Sequence, residues 1–184
     1  VVSGEPGIGK SRLAFELAVK LRGEGPNVLR YDCSPQHQNS MLHPLLEYLR
    51  RSAAGSKSDG GPRVTLDVLR ASFVDRNEQV SLAIAMLADL MALPAGAASP
   101  ETDVDAQRKR VVLFDVLVDN LRLLASDRPL LVLVEDAHWI DPTSRELVDL
   151  LVSRMGQWPI LLVVTCRPEF KAAGGGEPLG VPHS

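Results

Sequence analysis

Two kinds of apolar patterning alternate along this chain. Leu130–Val134 is apolar without a break, and Ile160–Thr165 is apolar up to its final threonine. Runs of that kind, too short for helices, predict strands covered on both faces. Asn27–Cys33 differs: Val28, Arg30 and Asp32 alternate with Leu29, Tyr31 and Cys33. Such half-polar alternation predicts a strand at or near a sheet edge. Val1 and Val2 read as the end of a further buried strand, so the chain is expected to be a piece of something longer.

Between these strands the apolar period becomes helical. Leu13, Ala14, Leu17 and Leu21 share a stripe, with Glu16 and Lys20 as a supporting i,i+4 pair. Val80, Ile84, Leu87 and Met91 predict a helix near 78–92. Phe114, Leu117, Val118, Leu121 and Leu124 do the same within 104–125. Residues 41–51 predict a short helix interrupted by Pro44. Asp141 followed by Pro142 is a helix start, and Leu147, Leu150 and Leu151 supply that helix's buried face. Residues 23–26 read as a helix stop, and 53–62 and 93–103 as loops rich in Gly, Ser, Pro and Ala. Strands alternating with amphipathic helices predict the α/β class: a parallel sheet of about four visible strands, helices on both faces, right-handed crossovers. One core is expected over 1–170, with a disordered tail at 171–184.

Composition narrows the picture modestly. The chain has 184 residues, a formal net charge of −3 and 45% hydrophobic residues, with a mean hydropathy of +0.03. That charge argues against nucleic-acid binding through bulk electrostatics. No apolar run approaches the roughly 20 residues that span a bilayer. Cys33 and Cys166, the two cysteines, lie far apart without metal-ligand spacing. They are expected to be reduced core thiols of a cytoplasmic protein.

The chemistry is concentrated at strand ends. Gly4, Gly9, Lys10 and Ser11 fit G-x-x-x-x-G-K-[ST], flanked by a predicted strand and helix in the order a phosphate loop needs. Glycine-rich backbone there exposes N–H groups to an anion, and the helix N-terminus adds its dipole. The candidate nucleotide-binding segment is Gly4, Glu5, Pro6, Gly7, Ile8, Gly9, Lys10, Ser11 and Arg12. Lys10 supplies a cation for the β- and γ-phosphates, and Ser11 a hydroxyl for Mg²⁺. Glu135 and Asp136 end the Leu130–Val134 strand, where a carboxylate needs a cation or donors to meet. Glu135 is assigned to the metal and Asp136 to the attacking water. Thr165 and Arg167 end the other buried strand, and Arg167 is able to meet a γ-phosphate bidentately. His138 and Trp139 follow the acidic pair, with contact to the acids and plain packing both open. His37 and His43 read as bystanders, and the basic run 108–110 as a solvated helix start.

Four stretches in this order, "GEPGIGKSRL", "CSPQHQNSMLHPLLEYL", "LLVLVEDAHWIDPTS" and "LLVVTCRPEF", resemble the ATPase module of bacterial multidomain signalling proteins. These are AAA-type ATPases of the STAND group, found with class III adenylate/guanylate cyclase domains and in large LuxR-type transcriptional regulators. The resemblance implies a P-loop NTPase fold, ATP and Mg²⁺ as cofactors, and a switch between ATP and ADP states. It implies Gly9, Lys10 and Ser11 on phosphate and Mg²⁺, Glu135 and Asp136 as the Walker B pair, and Arg167 as a sensor. It further implies partner domains in a longer chain, namely cyclase, helix-turn-helix or helical-repeat domains, and leaves a nucleotide-dependent oligomer open. Many hydrolytic relatives carry Asp then Glu, whereas this chain has Glu then Asp, which implies slower turnover. Three functions stand for comparison: ATP hydrolysis driving a switch, a nucleotide-holding interaction module with negligible hydrolysis, and, least favoured for want of an acceptor-binding lid or extra basic cluster, a small-molecule phosphotransferase.

Overall fold

The computed structural model describes residues 1–22, 27–54, 64–93 and 105–171. The expected helix stop at 23–26, most of both expected loops and nearly all of the expected tail lie outside them. The described chain forms two compact units, one of Val1–Tyr48 with Leu124–Ser184 and one of Leu49–Leu123.

The first unit holds the sheet. Its strands are β1 (Val2–Ser3), β2 (Asn27–Asp32), β3 (Leu130–Glu135) and β4 (Ile160–Cys166), in the order β1-β4-β3-β2. All three neighbouring pairs are parallel. The α/β parallel sheet expected from the patterning is therefore present. β2 lies at an edge, as its polar alternation requires. β3 is buried at every position, as its unbroken apolar run requires. β4 departs from expectation, with Leu161 half exposed and Leu162 and Val163 only partly covered. Only its last two residues, Thr165 and Cys166, pair with the short β1.

Strand alternation decides which side chains meet which helix. Leu131 and Leu133 point to one face, where α1 (Lys10–Arg22) packs Ala14 and Ala18 on them, with Leu17, Leu21, Val28 and Val163 alongside. Ala at both contact points lets the helix approach closely. Leu13, placed on the stripe by spacing alone, is exposed instead. On the other face Tyr31 of β2 meets Tyr48 of α2 (His43–Ala54) edge to face, centroids 5.4 Å apart. Pro44 is the second residue of α2 and does not interrupt it; a first-turn N–H has no helical partner to lose.

α6 (Pro142–Arg154) starts as expected, with Asp141 at its cap and Pro142 in first place. Asp141 is 1% exposed, and its Oδ1 accepts the N–H of Ser144 at 2.9 Å and of Leu42 at 3.1 Å. The Ser144 hydroxyl donates to Oδ2 at 2.6 Å. One carboxylate thus caps α6 and fastens the turn that opens α2, where Leu42 holds a left-handed φ of 55°.

The second unit contains α3 (Leu66–Ala71), α4 (Glu78–Leu90) and most of α5 (Ala106–Asp127). Val80, Ile84 and Leu87 are buried on α4, and Phe114, Leu117, Val118 and Leu121 on α5, as the helical period demands. α3 was not foreseen. It is six residues long, too short for a period to register, although Thr65 caps it through the N–H of Val68. The Asn120 amide of α5 joins Ser72 and Val74 behind α3, donating to the Ser72 carbonyl and accepting the Val74 N–H.

Candidate functional site

The strand order brings three chain segments to one end of the sheet. β4 sits between β1, which feeds the glycine loop, and β3, which ends in the acids. Its tip holds both neighbours: the Gly4 N–H donates to the Cys166 carbonyl at 3.3 Å, and the Asp136 N–H donates to Thr165 Oγ1 at 3.0 Å. Ligands in open parallel sheets bind at this strand end.

The loop Gly4–Gly9 is open. Gly7 and Gly9 have φ of 81° and 102°, a left-handed backbone that L side chains rarely adopt. A β-carbon at either would meet nothing within 4 Å, so it is the backbone conformation, not lack of space, that calls for glycine here. Lys10, the first residue of α1, folds back over the loop, its Nζ donating to the carbonyls of Gly4 at 2.7 Å and Glu5 at 2.9 Å. An ammonium has three donors, and these bonds hold it across the loop. Glu5, Pro6, Gly7, Ile8, Gly9, Ser11 and Arg12 are exposed, and Gly4 is half-buried.

Glu135 lies under the start of α1 for a simple reason. It shares the parity of Leu131 and Leu133, so it points to the face that α1 covers. There Ser11 lies close enough for its hydroxyl to favour the ionised carboxylate. Glu135 is 3% exposed, and its Oε1 is buried without a hydrogen-bond donor among the described residues. Arg30 Nε stands 2.8 Å from that oxygen as an ion pair, but its N–H is directed to Asp32 Oδ1 at 2.9 Å. Burial pushes the Glu135 carboxyl above the usual carboxylate range, while Arg30 and the Ser11 hydroxyl pull it down.

Asp136 is half-buried in a left-handed conformation, φ 52° and ψ 43°. Asp tolerates that region better than most residues. It starts a tight 3-10 turn, Ala137–Trp139, closed by the Trp139 N–H on the Asp136 carbonyl at 2.9 Å. His138 feels the charges of Asp136, Arg167, Lys10 and Glu169, and burial holds its imidazole below the ordinary value. Neither of its ring nitrogens has a hydrogen-bond partner among the described residues. Arg167 lies with its guanidinium carbon 5.6 Å from the centroid of the Trp139 ring.

Lys10, Ser11, Glu135, Asp136 and Arg167, singled out in the sequence, thus gather at one end of the sheet. His37 and His43 stack on each other, centroids 3.7 Å apart. Sequence reasoning missed Arg30. Its place on the polar face of an edge strand was legible, but its meeting with Glu135 depends on β2 lying beside β3, with Asp32 in register with Glu135. Both cysteines are free and buried, as expected. Burial and nearby Asp141, Asp136 and Asp32 push the Cys33 thiol up to about 12, so it is a poor nucleophile.

Among the described residues no cluster of three or more His, Cys, Asp or Glu side chains is built to hold a metal alone. Mg²⁺ does not need such a cluster, since it keeps waters and takes one or two carboxylates together with substrate phosphates. The Glu135 carboxylate beside Ser11, with Arg30 as its ion-pair partner, fits such an ion. No helix among the described residues is long and apolar enough to cross a membrane.

Thr165 is 1% exposed, and its hydroxyl accepts the Asp136 N–H. Thr165→Val keeps the shape and strands that donor, at about 1–3 kcal/mol. Calorimetry should show a Tm lowered by about 2–12 °C, with Thr165→Ser near wild type. A Val variant as stable as wild type would deny the bond any role.

A family model described as "AAA ATPase domain" matches residues 1–164. An uncharacterised protein of Rhizobium meliloti (strain 1021) is 32% identical over 170 residues, covering 92% of this chain and 16% of that relative. The chain therefore spans a small part of the length of the relative it matches. No solved structure matches it.

Proposed function

Because this chain belongs to the AAA ATPase domain family, we propose that it is a Mg²⁺-dependent ATP-binding and hydrolysing module that regulates a longer protein. Nucleotide binding of the ATPase type goes with the family. The finer reading rests on one observation: a buried Glu135, whose Oε1 has no hydrogen bond among the described residues and is balanced by the Arg30 ion pair, lies beside Ser11 at the start of α1, next to the glycine loop.

In this reading the segment Gly4–Arg12 binds the phosphates through main-chain N–H groups not already bonded within the fold, those of Gly7, Gly9, Lys10, Ser11 and Arg12 among them, and Lys10 balances the phosphate charge. Ser11 and Glu135 hold Mg²⁺, which when bound neutralises charge developing on the β- and γ-phosphates. Asp136 orients the attacking water, and Thr165 fixes its backbone. Arg167 meets the γ-phosphate through its planar fork. Positioning and preset charge do most of the catalytic work in such transfers. ATP and ADP then differ in their contacts with Arg167 and Asp136, and that difference is what biases neighbouring domains. Those neighbours are, by the resemblance to STAND-group signalling proteins, cyclase, helix-turn-helix or helical-repeat domains. Neither nucleic acid nor membrane is assigned to this segment, and a nucleotide-dependent oligomer is compatible with it.

Mg-ATP at ~100 times its Kd should stabilise the fold by ~2.7 kcal/mol, a Tm rise of roughly 5–11 °C. Lys10→Ala should lose most of that rise. An undiminished rise in Lys10→Ala would put the nucleotide somewhere other than this loop.

A further inference from the structure

The guanidinium of Arg167 lies over the ring of Trp139, two residues that neither the phosphate loop nor the acidic pair contains. The placement is framed on every side. Arg167 directly follows Cys166, whose carbonyl receives the Gly4 N–H, so it leaves β4 beside the mouth of the loop. Its own carbonyl accepts the Phe170 N–H at 3.1 Å, and the Phe170 ring lies 5.2 Å from the Arg145 guanidinium of α6. Trp139 is held by the tight turn that begins at left-handed Asp136, and its ring meets that of His138, centroids 4.9 Å apart and tilted by 47°. The charges of both Lys10 and Arg167 act on the His138 imidazole.

At 5.6 Å the attraction engages the guanidinium's charge and the ring's π face, not a dedicated hydrogen bond. Trp139 can therefore restrain Arg167 while N–H donors of the guanidinium stay available to an anion. A long side chain restrained this way also has less rotamer freedom left to lose on binding.

Building on the proposed nucleotide occupancy of the loop, we propose that Trp139 is a positioning residue that presents Arg167 to the γ-phosphate and so sets the preference of the site for ATP over ADP. A Trp that merely packs the core would affect both nucleotides alike. A platform for Arg167 affects only the one with the γ-phosphate.

The test compares binding of a non-hydrolysable ATP analogue and of ADP, both with Mg²⁺, by titration calorimetry on the same chain. Arg167→Ala should abolish most of the ATP-over-ADP preference. Trp139→Ala should reduce it roughly 3- to 10-fold, in the range of one cation–π contact, with ADP affinity unchanged. Trp139→Phe, which keeps a π face, should restore most of it. Trp139→Leu, which keeps apolar bulk without that face, should not, and it replaces the Ala variant if that variant does not fold. In Arg167→Ala the Trp139 change should have no further effect, because its role passes through Arg167. A Trp139→Leu variant with wild-type preference, or one that weakens ATP and ADP equally, overturns the proposal. Failure of wild type to bind either nucleotide overturns the nucleotide reading of the loop, and this role for Trp139 falls with it.

Discussion

Asp136→Asn is expected to slow single-turnover phosphate release about 10²–10⁴-fold, the usual contribution of a positioned acid–base group. Asn is the informative substitution because of the backbone. Asp136 sits at φ 52°, a region that Asn also tolerates while Ala is strained there. The Thr165 acceptor contacts the main chain and not the side chain, so it survives the change. Asn therefore removes the negative charge and little else. Nucleotide-induced stabilisation should persist, because the phosphate loop, Ser11 and Glu135 are untouched. Quenched-flow measurement of phosphate release from Mg-ATP checks the rate, and thermal shift checks the binding. Equal rates in wild type and Asp136→Asn would remove Asp136 from the chemistry and favour a module that holds nucleotide without turning it over.

The largest effect on stability should come from Asp141→Ala. This carboxylate is the cap of α6 and also the acceptor for Leu42. Its loss removes an N-cap bond and strands the buried N–H groups of Leu42 and Ser144 and the Ser144 hydroxyl. Cap loss is typically worth ~1 kcal/mol and each stranded donor about 1–3 kcal/mol. Because these terms share atoms, the sum is set at about 3–5 kcal/mol, equivalent to a Tm drop of roughly 6–20 °C. Leu42 adds to the expectation, since its left-handed φ of 55° persists only while its surroundings enforce it. Asp141→Asn should recover most of the loss, as its carbonyl still accepts both N–H groups and its amide is able to donate to the Ser144 oxygen. Scanning calorimetry on the three proteins checks this. A drop below about 3 °C for Ala would mean that water replaces the carboxylate and that the buried arrangement is not what joins α6 to the turn before α2.

Much of this protein was determined by local sequence. The unbroken apolar run of β3 dictated a strand covered on both faces, the alternation of Val28, Arg30 and Asp32 with Leu29 and Tyr31 dictated an edge, and Asp141-Pro142 dictated a helix start. Those features depend on burial and on backbone geometry within a few residues, so periodicity and capping chemistry reveal them. The glycine loop was legible for the same reason: its positive φ values at Gly7 and Gly9 follow from the absence of β-carbons there. What only the tertiary structure decided is adjacency. Strand order inserts β4 between the loop and the acids, which makes Thr165 the acceptor for Asp136 and Cys166 the anchor of Gly4. Register sets Asp32 against Glu135 and brings Arg30 to its carboxylate. The fold of one tight turn lays Trp139 beneath Arg167. Each of these pairs is separated by tens of residues or more, and no local propensity encodes which strand lies beside which. That choice is made when the apolar faces of β3 and α1 are buried together, and the polar groups at the strand ends are carried into contact by it.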